Sequence, residues 1–181
     1  MLRALAALAI AVLMMSPASA QGWGSNAERL EARIGAGFYD SGPLTNWGLR
    51  DFAFNAELLA PSPGFLAGIG APRPFLGVDI STASAPIHFV YGGLSWDYHF
   101  TNRFYASGNL GGAVNTASQL VASSNTRSLG TRATFHVGAA LGYDFTPNLT
   151  GQLYWNHFSN GYLVSPNEGH DSIGLRFGAR F

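Results

Sequence analysis

From residue 30 to the C-terminus, apolar and polar positions alternate in eight separate runs. A period of two sends successive side chains to opposite faces of a strand. The first run sets Leu30, Ala32, Ile34, Ala36 and Phe38 against Glu31, Arg33 and Gly35. The second opposes Phe52, Phe54, Ala56 and Leu58 to Asn55 and Glu57, and the third opposes Leu76, Val78 and Ile80 to Asp79. The fourth carries Val90, Leu94, Trp96, Tyr98 and Phe100 across from Ser95, Asp97 and His99. Phe104, Ala106, Leu110 and Val114 mark the fifth, opposite Tyr105, Ser107 and Asn109. The sixth runs from Arg132 to Phe145, with Phe135, Val137, Ala139, Leu141 and Tyr143 opposite Thr134, His136 and Asp144. The seventh has Leu149, Leu153 and Trp155 opposite Gln152, Tyr154 and Asn156, and the eighth has Ile173, Leu175, Phe177, Ala179 and Phe181 opposite Arg176 and Arg180.

The intervals between runs are of two kinds. Thr101-Asn102 and Thr146-Pro147-Asn148 are short and have hairpin chemistry. The alternate connections, 40–51, 81–87, 116–130 and 160–170, are longer. Short turns on one side and long loops on the other are the habit of outer-membrane barrels, whose turns are periplasmic and whose loops are extracellular. The segment 60–74 falls on the turn side, yet it is long and rich in Pro and Gly. Nothing in the pattern accounts for it.

Composition decides which solvent the apolar faces meet. The chain is 47% hydrophobic and only 11% charged, where a soluble globular domain averages about 25% charged residues. Ten basic residues, all Arg, balance ten acidic ones, which removes the basic footprint of a nucleic-acid binder. With no Cys, disulfides, thiolate metal sites and Cys nucleophiles are excluded. Residues 1–20 read as a secretory signal: Arg3, an apolar stretch 4–15, then Ala18-Ser19-Ala20 as the cleavage pattern. The apolar stretch is too short for a membrane anchor, which needs roughly 20 residues. Residues 21–181 are thus predicted to form an all-β, eight-stranded antiparallel transmembrane β-barrel in the outer membrane of a Gram-negative cell. A soluble lipocalin-type barrel would turn its apolar faces inward and leave an outer face poor in charge. Aromatics at the ends of most runs, and a terminal Phe181 preceded by alternating apolar residues, favour the membrane form. An interior of this size is filled by side chains rather than open. Glu31, Arg33, Glu57, Asp79, Asp97, His99, Arg132, His136, Arg176 and Arg180 share the inner parity and predict a salt-bridged plug.

Parity also exposes a conflict in the hairpin 149–181. The outward set of the seventh run continues through Trp155 to His157 and Ser159, and that of the eighth reaches back to Asp171. Ionisable groups facing lipid are costly. Strand ends among headgroups would explain any one of them, but together they comprise a nucleophile, a base and an acid. Two residues apart on one strand, His157 and Ser159 point the same way, and Asp171 lies across the hairpin, as a Ser-His-acid triad requires. A backbone N–H of Asn160 or Gly161, at the bend after Ser159, is placed to serve an oxyanion. With both termini periplasmic, the trio stands at the outer leaflet, where a hydrolase meets lipid esters from the side.

His157-Phe158-Ser159-Asn160-Gly161, followed by Pro166-Asn167-Glu168-Gly169, resembles the active-site hairpin of the PagL family of lipid A 3-O-deacylases. The resemblance implies an eight-stranded outer-membrane esterase that removes the ester-linked 3-O-acyl chain of lipid A. It also implies Ser159 as nucleophile, His157 as general base and acid, Asp171 as orienting acid and Asn160 near the oxyanion hole, with no metal or other cofactor. The family usually has Glu at the acid position, so Glu168 and His170 stand as alternatives to Asp171. The expected partners are lipopolysaccharide and the surrounding membrane lipids, with loop arginines such as Arg50 or Arg127 available to lipid A phosphates and a homodimer as one means of keeping the enzyme latent. Two competing functions are a structural or adhesive barrel without activity and a lipid A acyltransferase, which needs a pocket inside the barrel.

Overall fold

In the computed structural model, residues 22–45, 51–117 and 127–181 are described. The expected signal segment and Arg50 lie outside them. Eight long strands follow one another as antiparallel neighbours: β2 (Glu31–Tyr39), β3 (Phe52–Leu59), β4 (Arg73–Ser81), β5 (Phe89–His99), β6 (Phe104–Asn115), β7 (Ala133–Thr146), β8 (Leu149–Ser159) and β9 (His170–Arg180). The last pairs with the first, from Glu31 opposite Arg180 to Tyr39 opposite Ser172, so the sheet closes. Closure leaves no long edge and satisfies the backbone from within, as a hydrocarbon surround demands. A two-residue strand that the pattern does not show, β1 (Gly22–Trp23), adds to β5 at Tyr98 and His99, beyond the point where β4 has stopped.

Burial follows the alternation. Outward residues such as Ile34, Leu76, Leu110, Leu141 and Leu175 are more than half exposed, while their chain neighbours are buried or nearly so. A continuous apolar wall of this kind suits lipid rather than water. At the end bearing the short turns, Trp23 and Tyr98, Tyr98 and Phe100, and Phe104 and Tyr143 meet at ring separations of 5.0, 5.7 and 4.8 Å, an aromatic girdle.

The lumen holds the expected plug. Glu31 receives Arg33 at 2.5 Å, Arg73 at 2.9 Å and Arg180 at 2.9 Å. Arg73 reaches on to Asp97 at 2.6 Å, Arg180 to Asp144 at 2.8 Å and Arg176 to Glu57 at 2.5 Å. Towards the loop end the filling turns apolar: Phe89 stacks on Phe158 at 3.9 Å, with Tyr91 edge-on to Phe158 at 5.3 Å. One assignment by parity changes, and one residue that was given none joins the plug. Arg73 joins the plug because β4 begins three residues earlier than its apolar run suggests. Arg132, expected inside, is exposed, because β7 begins one residue after it.

Candidate active site

The geometry of the loop end follows from register. In the β8–β9 ladder His157 is the direct partner of Asp171. Opposed residues of an antiparallel pair lie close enough for their side chains to touch. The His157 Nδ1 and an Asp171 carboxylate oxygen are 2.6 Å apart. Trp155, the preceding outward residue of β8, lies nearly parallel to the imidazole at 6.0 Å between ring centres. Gly169, in the left-handed region at φ +67°, approaches the ring edge, where an added Cβ would stand 3.1 Å from His157 Cε1. Ring stacking, the carboxylate and a close backbone together define the orientation of the imidazole. Ser159 continues the same face, half-buried at the end of β8, and pairs with Phe135 of β7.

Asp171 departs from the lipid-facing position that parity gives it. Its side chain points out of the barrel, but the turn after β2 folds over it and leaves it wholly buried. The backbone N–H groups of Leu44 and Thr45 donate to its second carboxylate oxygen at 2.8 and 2.9 Å. The N–H of Ser41 donates to its backbone carbonyl at 3.0 Å. Gly42 crosses the carboxylate so closely that a Cβ there would fall 2.5 Å from Asp171 Oδ2, which explains glycine at this place. Strand alternation carries no trace of this cover, because the donors lie 126 and 127 residues away in the chain.

The alternative acids are engaged elsewhere. Glu168 accepts from the N–H of Ser128 at 2.6 Å, and its own N–H donates to the Ser128 carbonyl. His170 has inward parity and no exposure; it packs on Tyr39 at 4.6 Å, with Nδ1 3.4 Å from Asp40. Arg127, expected to be available to phosphate, holds Asp40 at 2.7 Å with its side chain largely buried. Burial shifts the Asp40 carboxyl above the usual range, and the Arg127 guanidinium opposes that shift.

Asn160 ties the loops together. Its side-chain amide donates to the carbonyls of Leu129 and Val164, each at 2.7 Å, and so joins 127–130 to 160–168. Its backbone N–H, a candidate oxyanion donor, donates to Asn167 Oδ1 at 2.9 Å. Gly161 follows, exposed, at φ +64°. Asn167 is thereby brought to the site with its carbonyl side occupied, a position that sequence reasoning noted as part of the motif but gave no role. Among the described residues, no group of three or more His, Asp or Glu is arranged to hold a metal ion.

On the outer wall, lining residues such as Leu141, Leu153, Leu175, Phe145 and Phe177 enclose an apolar groove of about 480 Å³. It lies further along β8 and β9 from Trp155 and His157, towards the turn end. The loop-end lumen, where an acyltransferase of the alternative kind needs its pocket, is occupied by Phe89, Tyr91, Phe158 and His170.

A family model described as "Lipid A 3-O-deacylase (PagL)" matches residues 18–180, nearly the whole chain. The crystal structure of the outer membrane enzyme PagL superposes with a TM-score of 0.62 at 14% identity, covering 82% of this chain and 98% of that one. The N-terminal β-barrel domain of Pseudomonas aeruginosa OprF gives 0.56 at 14% identity, with coverage of 85% and 98%. Neisserial surface protein A gives 0.55 at 13%, with coverage of 88% and 99%. Likenesses at such identity speak for the barrel alone. No curated protein matches the chain.

Proposed function

Because the chain belongs to the PagL family of lipid A 3-O-deacylases, an outer-membrane hydrolase family acting on lipid A, we propose that it is a serine esterase working from the outer leaflet through Ser159, His157 and Asp171. The observation that carries this reading is the 2.6 Å pair of His157 and Asp171, with Ser159 next along the same outward face. Asp171 binds Nδ1, so the imidazole carries its proton there and leaves Nε2 as the base. Nε2 takes the Ser159 proton as Oγ attacks the 3-O-acyl carbonyl. The tetrahedral intermediate collapses as His157 gives that proton to the departing sugar oxygen, which leaves as the free hydroxyl, and the acyl-enzyme is hydrolysed by water through the same steps. The N–H of Gly161 and the Nδ2 hydrogens of Asn167 are the donors assigned to the oxyanion, since the Asn160 N–H is already committed.

The expected orientation supports the substrate class. Short turns at one end and long loops at the other favour an extracellular position for the site, among lipopolysaccharide headgroups. The groove through Leu153 and Leu175 offers an apolar bed for acyl chains below it. The test is mass spectrometry of lipid A from cells expressing the protein. The wild type is expected to remove one 3-hydroxyacyl chain, and Ser159→Ala is expected to abolish that loss while the barrel still inserts. Deacylation surviving in Ser159→Ala would remove Ser159 as nucleophile. Unchanged lipid A in wild-type cells would return the molecule to a structural role, and a gain of mass would make it a transferase.

A further inference from the structure

The connection between β3 and β4 is unlike its counterparts at the same end of the barrel. Phe100–Arg103 and Pro147–Asn148 are short polar turns. Residues 60–72 form a longer connection that contains no charged residue. Its centre is a 3-10 helix, Gly64–Ile69, none of whose residues is buried; Phe65 is 84% exposed and Ile69 58% exposed. An apolar, charge-free element turned away from the protein needs a solvent other than water.

The segment is nevertheless firmly placed. The N–H of Gly70 donates to the carbonyl of Ala67, and that of Ala71 to Leu66, closing the helix in a paired C-terminal cap. Gly70 and Ala71 both take the left-handed conformation, at φ +91° and +49°. That is unfavourable for Ala and is sustained by contacts on either side. The N–H of Ser62 donates to the carbonyl of Ala27 at 2.6 Å. The indole N–H of Trp96 donates to the carbonyl of Ile69 at 2.9 Å.

That last bond fixes the location. Ser95 and Asp97 are buried in the lumen, so Trp96 between them points outward through the wall. The helix therefore lies against the outside of the barrel, not across its mouth. An added Cβ on Gly70 would stand 3.4 Å from the Trp96 ring and 3.7 Å from Trp23, which itself packs on Tyr98. The helix sits at the depth of the aromatic girdle, where headgroups give way to acyl chains.

We propose that residues 60–72 form a foot embedded in the membrane leaflet at the turn end of the barrel, with Phe65 and Ile69 among the upper acyl chains of its phospholipids. In the orientation proposed above this is the periplasmic leaflet. The occupant follows from continuity: the apolar face of the foot extends the lipid-facing wall outward at one height. Because the segment is uncharged, its immersion is driven by apolar area alone and is independent of anionic lipid, unlike that of a basic amphipathic helix.

The chain has no cysteine, so Phe65→Cys or Ala67→Cys provides a single attachment point for a small fluorophore. Each labelled barrel is reconstituted in phosphatidylcholine vesicles containing lipids brominated either near the carbonyls or near the chain ends, after its heat-dependent gel mobility shows that it has folded. Both labels are expected to be quenched several-fold more than a label at Asn102→Cys in the neighbouring short turn. Quenching should be strongest with the shallow bromines and unchanged when anionic lipid is added. Quenching no greater than at Asn102→Cys would overturn the proposal. So would disulfide-linked F65C dimers accompanied by shielding from bromine at every lipid ratio, which would make a second copy the occupant. Neither outcome touches the esterase reading, which lipid A mass spectra test separately.

Discussion

The barrel holds its acids in two ways. In the lumen, Glu31, Glu57, Asp97 and Asp144 each meet at least one guanidinium, and Glu31 meets those of Arg33, Arg73 and Arg180. At the rim, Asp171 is as deeply buried, yet its partners are two backbone N–H groups and an imidazole. Fixed cations lock a carboxylate into a structural network, and breaking such a buried network leaves charge without compensation. Neutral N–H donors hold the anion on one oxygen while the imidazole takes the other. That arrangement suits an acid that must stabilise a histidine as it gains and loses a proton. Partner type, not burial, separates these four acids from Asp171; Asp79, also buried in the lumen, is held instead by the Ser172 hydroxyl at 2.9 Å.

Substitutions that swap these outcomes sharpen the contrast. The largest expected effect is that of Asp171→Asn: deacylation falls on the order of 10³–10⁴-fold, because the amide no longer enforces the His157 tautomer, while thermal unfolding of the barrel shifts little. In the lumen the same type of change should act in reverse. Glu31→Gln leaves Arg33, Arg73 and Arg180 short of an anion and is expected to cost about 3–5 kcal/mol of stability. Denaturant unfolding in detergent would show it, with the activity of the folded fraction unchanged. The smallest effect concerns the cover over Asp171. Gly42→Ala places a methyl against the carboxylate, and Asp171→Glu forces an extra methylene under the same turn. Each is expected to lower kcat by up to about 10²-fold, the scale of a displacement near 1 Å, with KM nearly unchanged and stability reduced by about 1–3 kcal/mol, the usual cost of overpacking. Full activity in Asp171→Glu would show that the turn at 41–45 yields to the longer acid that is usual in the family.

Much of the cylinder was legible because strand alternation is local. Each residue of β6 declares its face through its immediate neighbours, and Thr101-Asn102 and Thr146-Pro147-Asn148 announce their hairpins without reference to the rest of the chain. His157 and Ser159 were legible for the same reason, since two residues along a strand restore direction. What the pattern misplaced or missed lies at strand ends. Arg73 and Arg132 sit where alternation meets a loop, and pairing with the neighbouring strand, not the pattern, decides the boundary.

The sequence by itself determined the closed, lipid-facing barrel, its ionic filling and the face that carries Ser159 and His157, because all three depend on a two-residue period and on composition. Which carboxylate meets the imidazole was left open between Asp171 and Glu168, only three positions apart. The tertiary structure decided it through contacts distant in the chain: Leu44 and Thr45 close over Asp171, Ser128 takes Glu168, and Arg127 takes Asp40. Such pairings depend on how loops fold over a finished cylinder, and loop geometry has no period to read.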